Sequence, residues 1–184
     1  GTCMPCAAGL YGSAPNTCTD CAAGQYQDST GAINCTACTA GTYQDQLAQE
    51  SCITCSVGQT HSLLQQTDSS SCTGCAQGTY GTDAGICLPC AAGQHQSGTG
   101  ATNCTACTVG KYQDSTGASQ CTLCTAGRYI HSMGASECNY CVAGEYQDEL
   151  GKTTCKPCGA GGTTVASGAA SDGDCVFGPV PYPT

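Results

Sequence analysis

Residues 104–124 read CTACTVGKYQDSTGASQCTLC, and variants of this stretch recur along the whole chain. The stretch begins and ends with a CxxC pair, and successive pairs lie 15 to 20 residues apart. A repeat of this length cannot bury a core of its own, so neighbouring repeats must be cross-linked or packed on one another. The ten pairs begin at Cys3, Cys18, Cys35, Cys52, Cys72, Cys87, Cys104, Cys121, Cys138 and Cys155, and a single Cys175 follows them.

Large apolar residues are scarce in this chain. Val, Ile, Leu and Phe together number 18 of 184 residues and Trp is absent, whereas there are 21 cysteines. Such a chain cannot offset the entropy cost of folding by apolar burial alone, so the composition predicts a disulfide scaffold. A disulfide that closes a loop of about 15 residues contributes roughly 3 kcal/mol. Disulfides persist in oxidising compartments, which indicates a secreted protein, extracellular or at the cell surface.

The net charge is −9, with 13 acidic and only four basic residues. Nucleic-acid binding needs clustered Lys and Arg, so the chain is not expected to bind nucleic acid. No apolar run of 18 residues occurs, and we expect no membrane span. Because the sequence lacks an initiator Met and a signal peptide, we expect it to be a processed or excised piece. The basic residues are Lys111, Arg128, Lys152 and Lys156.

The repeat consensus is C-x-x-C-x-x-G-x-Y-x-D-x-x-G-x-x-x-C, most clearly over residues 104–121. A glycine follows the second cysteine of each pair by three positions in all ten repeats. Its recurrence predicts a backbone site with positive φ or a close approach of another segment. These glycines are Gly9, Gly24, Gly41, Gly58, Gly78, Gly93, Gly110, Gly127, Gly144 and Gly161.

A tyrosine or histidine follows that glycine by two positions in eight repeats. We expect each ring to pack on a neighbouring disulfide or glycine backbone, since it is the largest apolar group of its repeat. An exposed row of rings that binds sugars or a partner is the alternative. The rings are Tyr11, Tyr26, Tyr43, Tyr80, His95, Tyr112, Tyr129 and Tyr146.

The repeat lengths show a second, longer period. Spacings of 15, 17, 17 and 20 residues are followed by 15, 17, 17, 17, 17 and 20, so a short repeat begins each series and a long one ends it. This predicts two super-repeats, at residues 3–71 and 72–175. Alternating prolines predict an extended, Pro-rich arm at residues 176–184.

The sequence alone does not fix which cysteines are bonded, but the regular spacing of the CxxC pairs favours a tiled connectivity, in which each disulfide joins neighbouring pairs. Pairing the second cysteine of each CxxC with the first of the next uses 20 cysteines, leaves Cys3 for a partner upstream, and makes a string of small loops. An interleaved connectivity is the alternative. The tiled pairs are Cys6–Cys18, Cys21–Cys35, Cys38–Cys52, Cys55–Cys72, Cys75–Cys87, Cys90–Cys104, Cys107–Cys121, Cys124–Cys138, Cys141–Cys155 and Cys158–Cys175.

Metal and catalytic sites have weak support. Tandem CxxC pairs are typical of zinc sites. Here, however, no boundary divides the continuous row of pairs into sets of four ligands, and the three histidines hold no common position beside the cysteines. One carboxylate per repeat is too few for calcium, which needs several oxygens. We therefore expect no metal, no cofactor, no redox-active CxxC and no catalytic residues. The repeated carboxylates are Asp28, Asp45, Asp114 and Asp148.

Two sequons, beginning at Asn34 and Asn103, match N-x-[ST] and predict N-linked glycans. In both, the middle residue is a cysteine of a predicted disulfide. Abundant Ser and Thr add candidates for O-glycosylation.

Residues 35–55, CTACTAGTYQDQLAQESCITC, and their counterparts at 104–124 resemble the ephrin-receptor-like cysteine-rich repeat. They are similar to the single-disulfide modules of tumour-necrosis-factor-receptor cysteine-rich domains. The resemblance covers residues 3–175 and implies extracellular modules without catalytic residues. The fold class expected is small and disulfide-rich: an elongated rod of ten tandem single-disulfide repeats, about 17 residues each, with β-hairpin-like loops and little or no helix.

The function expected from these features is structural. Uninterrupted repeats predict a subunit or stalk of a surface filament, hair or matrix that self-associates into a polymer. The alternative is a receptor-like or adhesive ectodomain that binds a protein or glycan, with residues 63–66 as its only irregular patch. The candidate inter-subunit contacts are Cys3, Pro179, Pro181, Tyr182 and Pro183.

Overall fold

The computed structural model of the chain describes residues 4–178. In this range the regular structure consists of ten two-stranded hairpins and three short 3-10 turns, Ser69–Ser71, Gly159–Gly161 and Asp172–Asp174. The hairpins are β1 (Leu10–Ala14) with β2 (Thr17–Asp20), β3 (Gln25–Tyr26) with β4 (Thr36–Ala37), β5 (Thr42–Tyr43) with β6 (Ile53–Thr54), β7 (Gln59–Thr60) with β8 (Thr73–Gly74), β9 (Thr79–Gly81) with β10 (Cys87–Pro89), β11 (Gln94–His95) with β12 (Thr105–Ala106), β13 (Lys111–Tyr112) with β14 (Thr122–Leu123), β15 (Arg128–Tyr129) with β16 (Asn139–Tyr140), β17 (Glu145–Tyr146) with β18 (Lys156–Pro157), and β19 (Thr163–Thr164) with β20 (Cys175–Val176).

Each hairpin is closed by one disulfide loop, which we number repeat 1 to repeat 10; the first strand lies inside the loop, and the second lies at or after its closing cysteine in nearly every repeat. The loop begins at an opening cysteine, the second of a CxxC pair, and ends at a closing cysteine, the first of the next pair. In most repeats the two middle residues of the CxxC that contains the closing cysteine form the second strand. In repeat 7, antiparallel pairing sets Lys111 opposite Leu123 and Tyr112 opposite Thr122. The disulfide therefore holds together two strands that are too short to be stable alone.

Two residues at fixed positions in every repeat adopt the left-handed backbone conformation, with φ between 56° and 89°, and repeat 10 has a third, Ala160, with φ 46°. The first left-handed residue is the glycine three positions after the opening cysteine, as predicted. The second left-handed residue lies ten positions after the opening cysteine and is not always glycine. The ten second left-handed residues are Asn16, Gly31, Ala48, Gln65, Gly85, Gly100, Gly117, Gly134, Gly151 and Gly168.

All variation in repeat length falls after the second left-handed residue. In the long repeats 4 and 10 the additional residues include the 3-10 turns Ser69–Ser71 and Asp172–Asp174. A carboxylate caps each turn: Asp68 accepts from the Ser70 amide at 2.7 Å, and Asp174 accepts from the Ser171 amide at 2.9 Å. Hydrogen bonds with Ser70 lower the pKa of Asp68, and backbone hydrogen bonds from Ser171 and Ala170 lower that of Asp174.

The described residues form two compact units, one from residues 4–76, 80–88 and 99–103 and the other from 77–79, 89–98 and 104–178. Within each unit, backbone hydrogen bonds join a repeat to the next one. In the first unit the Gly24 amide donates to the carbonyl of Gln44 at 2.8 Å, and the Cys38 amide donates back to Gly24 at 2.9 Å. The equivalent bond in the second unit joins Gly110 to Ile130 at 2.9 Å.

Backbone also packs on backbone two repeats further along. A Cβ atom added to Gly41 would lie 2.3 Å from the carbonyl oxygen of Gly85, and one added to Gly110 would lie 2.0 Å from that of Gly151. The first left-handed residue must therefore be glycine both for its φ and because another backbone covers it. Eight glycines share this contact: Gly9, Gly24, Gly41 and Gly58 in the first unit, and Gly78, Gly93, Gly110 and Gly127 in the second.

The buried interior consists mostly of sulfur. Among the described residues, Ile130 is the one buried apolar side chain other than cysteine. The largest fully buried side chains are all opening cysteines: Cys21, Cys38, Cys75, Cys90, Cys107, Cys124 and Cys141. Disulfide sulfur therefore fills the place that Leu, Ile and Val fill in most domains.

The predicted small disulfide-rich fold, with ten tandem single-disulfide repeats, hairpin loops and little helix, is confirmed. The super-repeats at 3–71 and 72–175 stay a prediction. Of the predicted arm at 176–184, only residues 176–178 are described, and Val176 belongs to β20.

Two substitutions in repeat 7 distinguish the cost of a side chain at positive φ from the cost of a clash with the backbone that covers the first glycine. Gly117→Ala places a side chain at φ +73° with its nearest contact, Pro89 Cβ, at an ordinary 3.6 Å. It should lower the free energy of unfolding by roughly 1–2 kcal/mol. Gly110→Ala has a similar φ, +76°, but its Cβ would collide with the Gly151 carbonyl. It should lower the free energy of unfolding by about 1–3 kcal/mol more than Gly117→Ala does.

Thermal unfolding of both variants with disulfides intact measures the difference. Equal losses of stability in the two variants would contradict the proposed backbone cover.

Candidate functional site

Ten disulfides close the ten loops, with Cα–Cα distances of 5.6–5.8 Å. They form the tiled pairs, from Cys6–Cys18 through to Cys158–Cys175, rather than the interleaved ones. Every cysteine in the described range is in a disulfide, so this range offers no free thiol for catalysis or metal binding. Cys3 lies outside the described residues, as do Pro179, Pro181, Tyr182 and Pro183.

A buried glutamine next to the ring holds the outer part of several loops together. In repeat 3, Gln44 Nε2 donates to the Ser51 carbonyl at 2.7 Å, and its Oε1 accepts from the Gln46 amide at 3.1 Å. Gln44 is only 3% exposed. This role is not among those predicted from the sequence, although the recurring Y-Q-D motif carries the signal for it. The equivalent glutamines Gln27, Gln113 and Gln147 make the same pair of bonds.

The predicted row of rings lies half-buried, and three of the rings, Tyr11, Tyr26 and His95, line shallow grooves between successive repeats. In each groove the ring of one repeat lies near the closing cysteine of the next, which fits the expected packing on a neighbouring disulfide. The grooves measure about 260 Å³ at Tyr11 and Cys35, 220 Å³ at Tyr26 and Cys52, and 380 Å³ at His95. They are small and open, unlike the deep apolar pockets typical of small-molecule sites.

Two groups of side chains have metal-ligand types, but both contain a disulfide. They are Cys55, His61 and Cys72, and His95, Cys107 and Cys121, with ligand atoms within 4.8 Å of one another in each. Cys55–Cys72 and Cys107–Cys121 are bonded pairs, so the sulfurs are not thiolates and cannot act as strong metal ligands. In the described part of the chain, no other group of three such residues converges.

The repeated carboxylates Asp28, Asp45, Asp114 and Asp148 are all exposed, and they belong to no converging group. Asp148 forms an ion pair with Lys156 at 2.6 Å, and Lys156 also contacts Glu149 at 3.1 Å. The Lys156 hydrogen bond lowers the pKa of Asp148, and that of Glu149 is lowered by hydrogen bonds from Lys152 and Lys156. Such exposed pairs add little to stability.

Both sequon asparagines are exposed at the surface of their loops. The backbone carbonyl of Asn34 accepts from Gln27 Nε2 at 2.7 Å. The next residues in the two sequons, Cys35 and Cys104, are in disulfides. Within the described residues, no helix is long and apolar enough to cross a membrane.

The buried amide of Gln44 should stabilise its loop measurably. Gln44→Ala leaves the Gln46 amide and the Ser51 carbonyl without their partner, and we expect a loss of roughly 1–3 kcal/mol. Gln46→Ala, two residues away and exposed, is the matched control and should change stability by less than about 0.5 kcal/mol. Denaturant unfolding with disulfides intact measures both variants, and equal effects would argue against the amide bridge.

One family model, described as tyrosine-protein kinase ephrin type A/B receptor-like, matches the chain in two overlapping pairs of windows. The windows are residues 10–41 and 29–68, then 95–137 and 127–175, and together they cover well over half of the chain. A search of curated proteins found no match. The many disulfides and this type of repeat indicate an extracellular or cell-surface location. The chain therefore belongs to the ephrin-receptor-like family of cysteine-rich repeats.

Proposed function

We propose that this chain is a structural, non-catalytic protein secreted to the cell exterior, where it forms a subunit or stalk of a surface filament, hair or matrix. The observation that carries the proposal is that repeats pack on one another through backbone. The first left-handed glycine of eight repeats is covered by backbone two repeats further along. Such packing is independent of most side chains, so it suits a mechanical role in which repeats are added in series.

The surface chemistry supports the same role. The grooves along the ring row are small and open, and the ionisable side chains are largely exposed. A net charge of −9 keeps a secreted protein soluble. In this proposal, glycans at Asn34 and Asn103 coat the protein, and the Cys3 and Pro179–Thr184 regions make contacts between subunits in the polymer.

Native material should contain polymers in which this chain is a repeating component. Electron microscopy of unreduced material from the natural source would detect them, and mass spectrometry of the same sample would report sugars on Asn34 and Asn103. After reduction the polymers should disassemble, because each repeat depends on its disulfide. Monomers alone in native, unreduced material would overturn the structural role.

A second function, a receptor-like or adhesive ectodomain, is favoured by one observation. Leu63 and Leu64 are each 62% exposed, side by side in the long repeat 4. Contiguous exposed apolar residues mark interaction surfaces more often than isolated ones do. In this alternative the patch would bind a protein or glycan on a cell surface.

A variant carrying Leu63→Ser and Leu64→Ser tests this alternative. If the chain is an adhesive domain, binding of the fluorescently labelled chain to intact cells from the natural source should fall at least tenfold. Leu47→Ser, also at an exposed leucine, is the matched control and should leave binding unchanged. Unchanged binding in the double variant would contradict the adhesive or receptor-like role.

A further inference from the structure

His61 is a buried histidine with one ring nitrogen that lacks a partner. The side chain is 8% exposed and lies inside the loop closed by Cys55 and Cys72. Its Nε2 is 3.1 Å from the carbonyl oxygen of Thr42, whereas Nδ1 is buried and has no hydrogen-bond partner among the described residues. A buried polar atom without a partner is costly, so it calls for a functional explanation.

The contact with Thr42 fixes which nitrogen of His61 carries the proton. A carbonyl oxygen only accepts, so Nε2 is the N–H donor and Nδ1 presents a lone pair. A ring nitrogen of His61 and the sulfurs of Cys55 and Cys72 lie within 4.8 Å of one another. A histidine whose other N–H donates to a backbone carbonyl has the arrangement found in metal-ligating histidines.

The other long repeat shows that this arrangement is not a general requirement of the fold. Thr164 occupies the equivalent position in repeat 10, inside the loop closed by Cys158 and Cys175. Its hydroxyl oxygen accepts from the Gly144 amide at 3.1 Å and donates to the Ala166 carbonyl at 2.8 Å. The hydroxyl therefore has both a donor and an acceptor partner, whereas His61 Nδ1 has neither.

The second Cys–His group in the structure differs in the same respect. His95 Nδ1 is 3.1 Å from the Thr105 carbonyl, so this nitrogen carries the proton and donates it to Thr105. It therefore has no lone pair to offer beside Cys121 Sγ, which lies 3.2 Å from it. His95 is only half-buried, and Lys111 lines the same groove. A nearby cation and an engaged nitrogen both disfavour a metal ion at this position.

We propose that Cys55, Cys72 and His61 form a redox-gated site for a thiophilic d10 cation, Cu⁺ or Zn²⁺. In the oxidised chain the site is closed by the disulfide. Two molecules of a thiol such as glutathione transfer two electrons and two protons to the Cys55–Cys72 bond and are themselves joined as a disulfide. The cation then displaces both thiol protons and binds two thiolates and the lone pair of His61 Nδ1.

The ligand set matches the chemistry of these cations. Thiolate and imidazole are preferred by Cu⁺ and Zn²⁺, and the burial of all three residues protects soft ligands from water. With metal–sulfur bonds near 2.3 Å, the sulfurs must separate to about 3.7 Å, which side-chain rotation can supply. The metal also satisfies the nitrogen that has no partner in the oxidised chain. Metal binding therefore favours reduction of this disulfide over the other nine.

The experiment equilibrates the full chain in glutathione buffers of stepwise lower potential, with Zn²⁺, with Cu⁺, or with neither. Alkylation and peptide mapping report which disulfides open, and native mass spectrometry counts bound metal. In the presence of the preferred cation, Cys55–Cys72 should open at a less reducing potential than the other nine pairs, with one metal ion per chain. The Zn²⁺ and Cu⁺ arms distinguish the two cations.

His61→Gln is the decisive variant because glutamine is the native residue at the equivalent position of repeats 2, 3, 6, 7 and 9, so the variant is expected to fold. It should weaken metal binding at least tenfold and remove the metal-dependent opening of Cys55–Cys72. His95→Tyr, which restores the usual ring at the second group, should change neither. Equal metal binding by the chain and its His61→Gln variant would overturn the proposal. So would opening of Cys55–Cys72 without metal uptake, or its resistance to opening until all loops are reduced.

Discussion

The closure of one short loop by one disulfide in each repeat is the constraint on which the rest of the structure depends. The disulfide holds together two strands of mostly two residues each, which could not pair stably alone. It also places the opening cysteine at the centre of its repeat, where seven of them are fully buried. Because sulfur occupies the interior, the chain folds with few large apolar residues, and Ile130 is the exception that the described part contains.

Packing between repeats is carried by backbone rather than by side chains. The two left-handed residues serve this purpose: in repeats 1 to 8 the first exposes its backbone, and in repeats 3 to 10 the second brings a carbonyl onto a glycine two repeats earlier. The ring and the glutamine add packing within and between loops, but they vary. Thr60 and Thr163 take the place of the ring in the long repeats, and Ile130 takes that of the glutamine in repeat 8. A backbone-based contact explains how repeats with such different side chains share one conformation.

Much of this arrangement could be predicted from the sequence, because cysteine and glycine mark it directly. The even spacing of CxxC pairs led to the tiled disulfides, and the ten recurring glycines led to the first left-handed residue. The second left-handed residue was harder to recognise, since Asn16, Ala48 and Gln65 occupy it in three repeats. Contacts two repeats apart could not be foreseen, because spacing along the chain does not reveal which backbone covers a glycine. The unpartnered nitrogen of His61 likewise depends on the position of the Thr42 carbonyl, which belongs to a different loop.

The constant distance between the opening cysteine and the second left-handed residue has a consequence for how such chains diversify. This ten-residue segment touches neighbours on both sides along the array, so inserting or deleting a residue within it would break contacts in several loops at once. The remaining segment, up to and including the closing cysteine, ranges from two residues in repeats 1 and 5 to seven in repeats 4 and 10. The natural variation in its length indicates that new peptide, natural or grafted by an engineer, is accommodated there with less disturbance of the scaffold than anywhere earlier in the repeat.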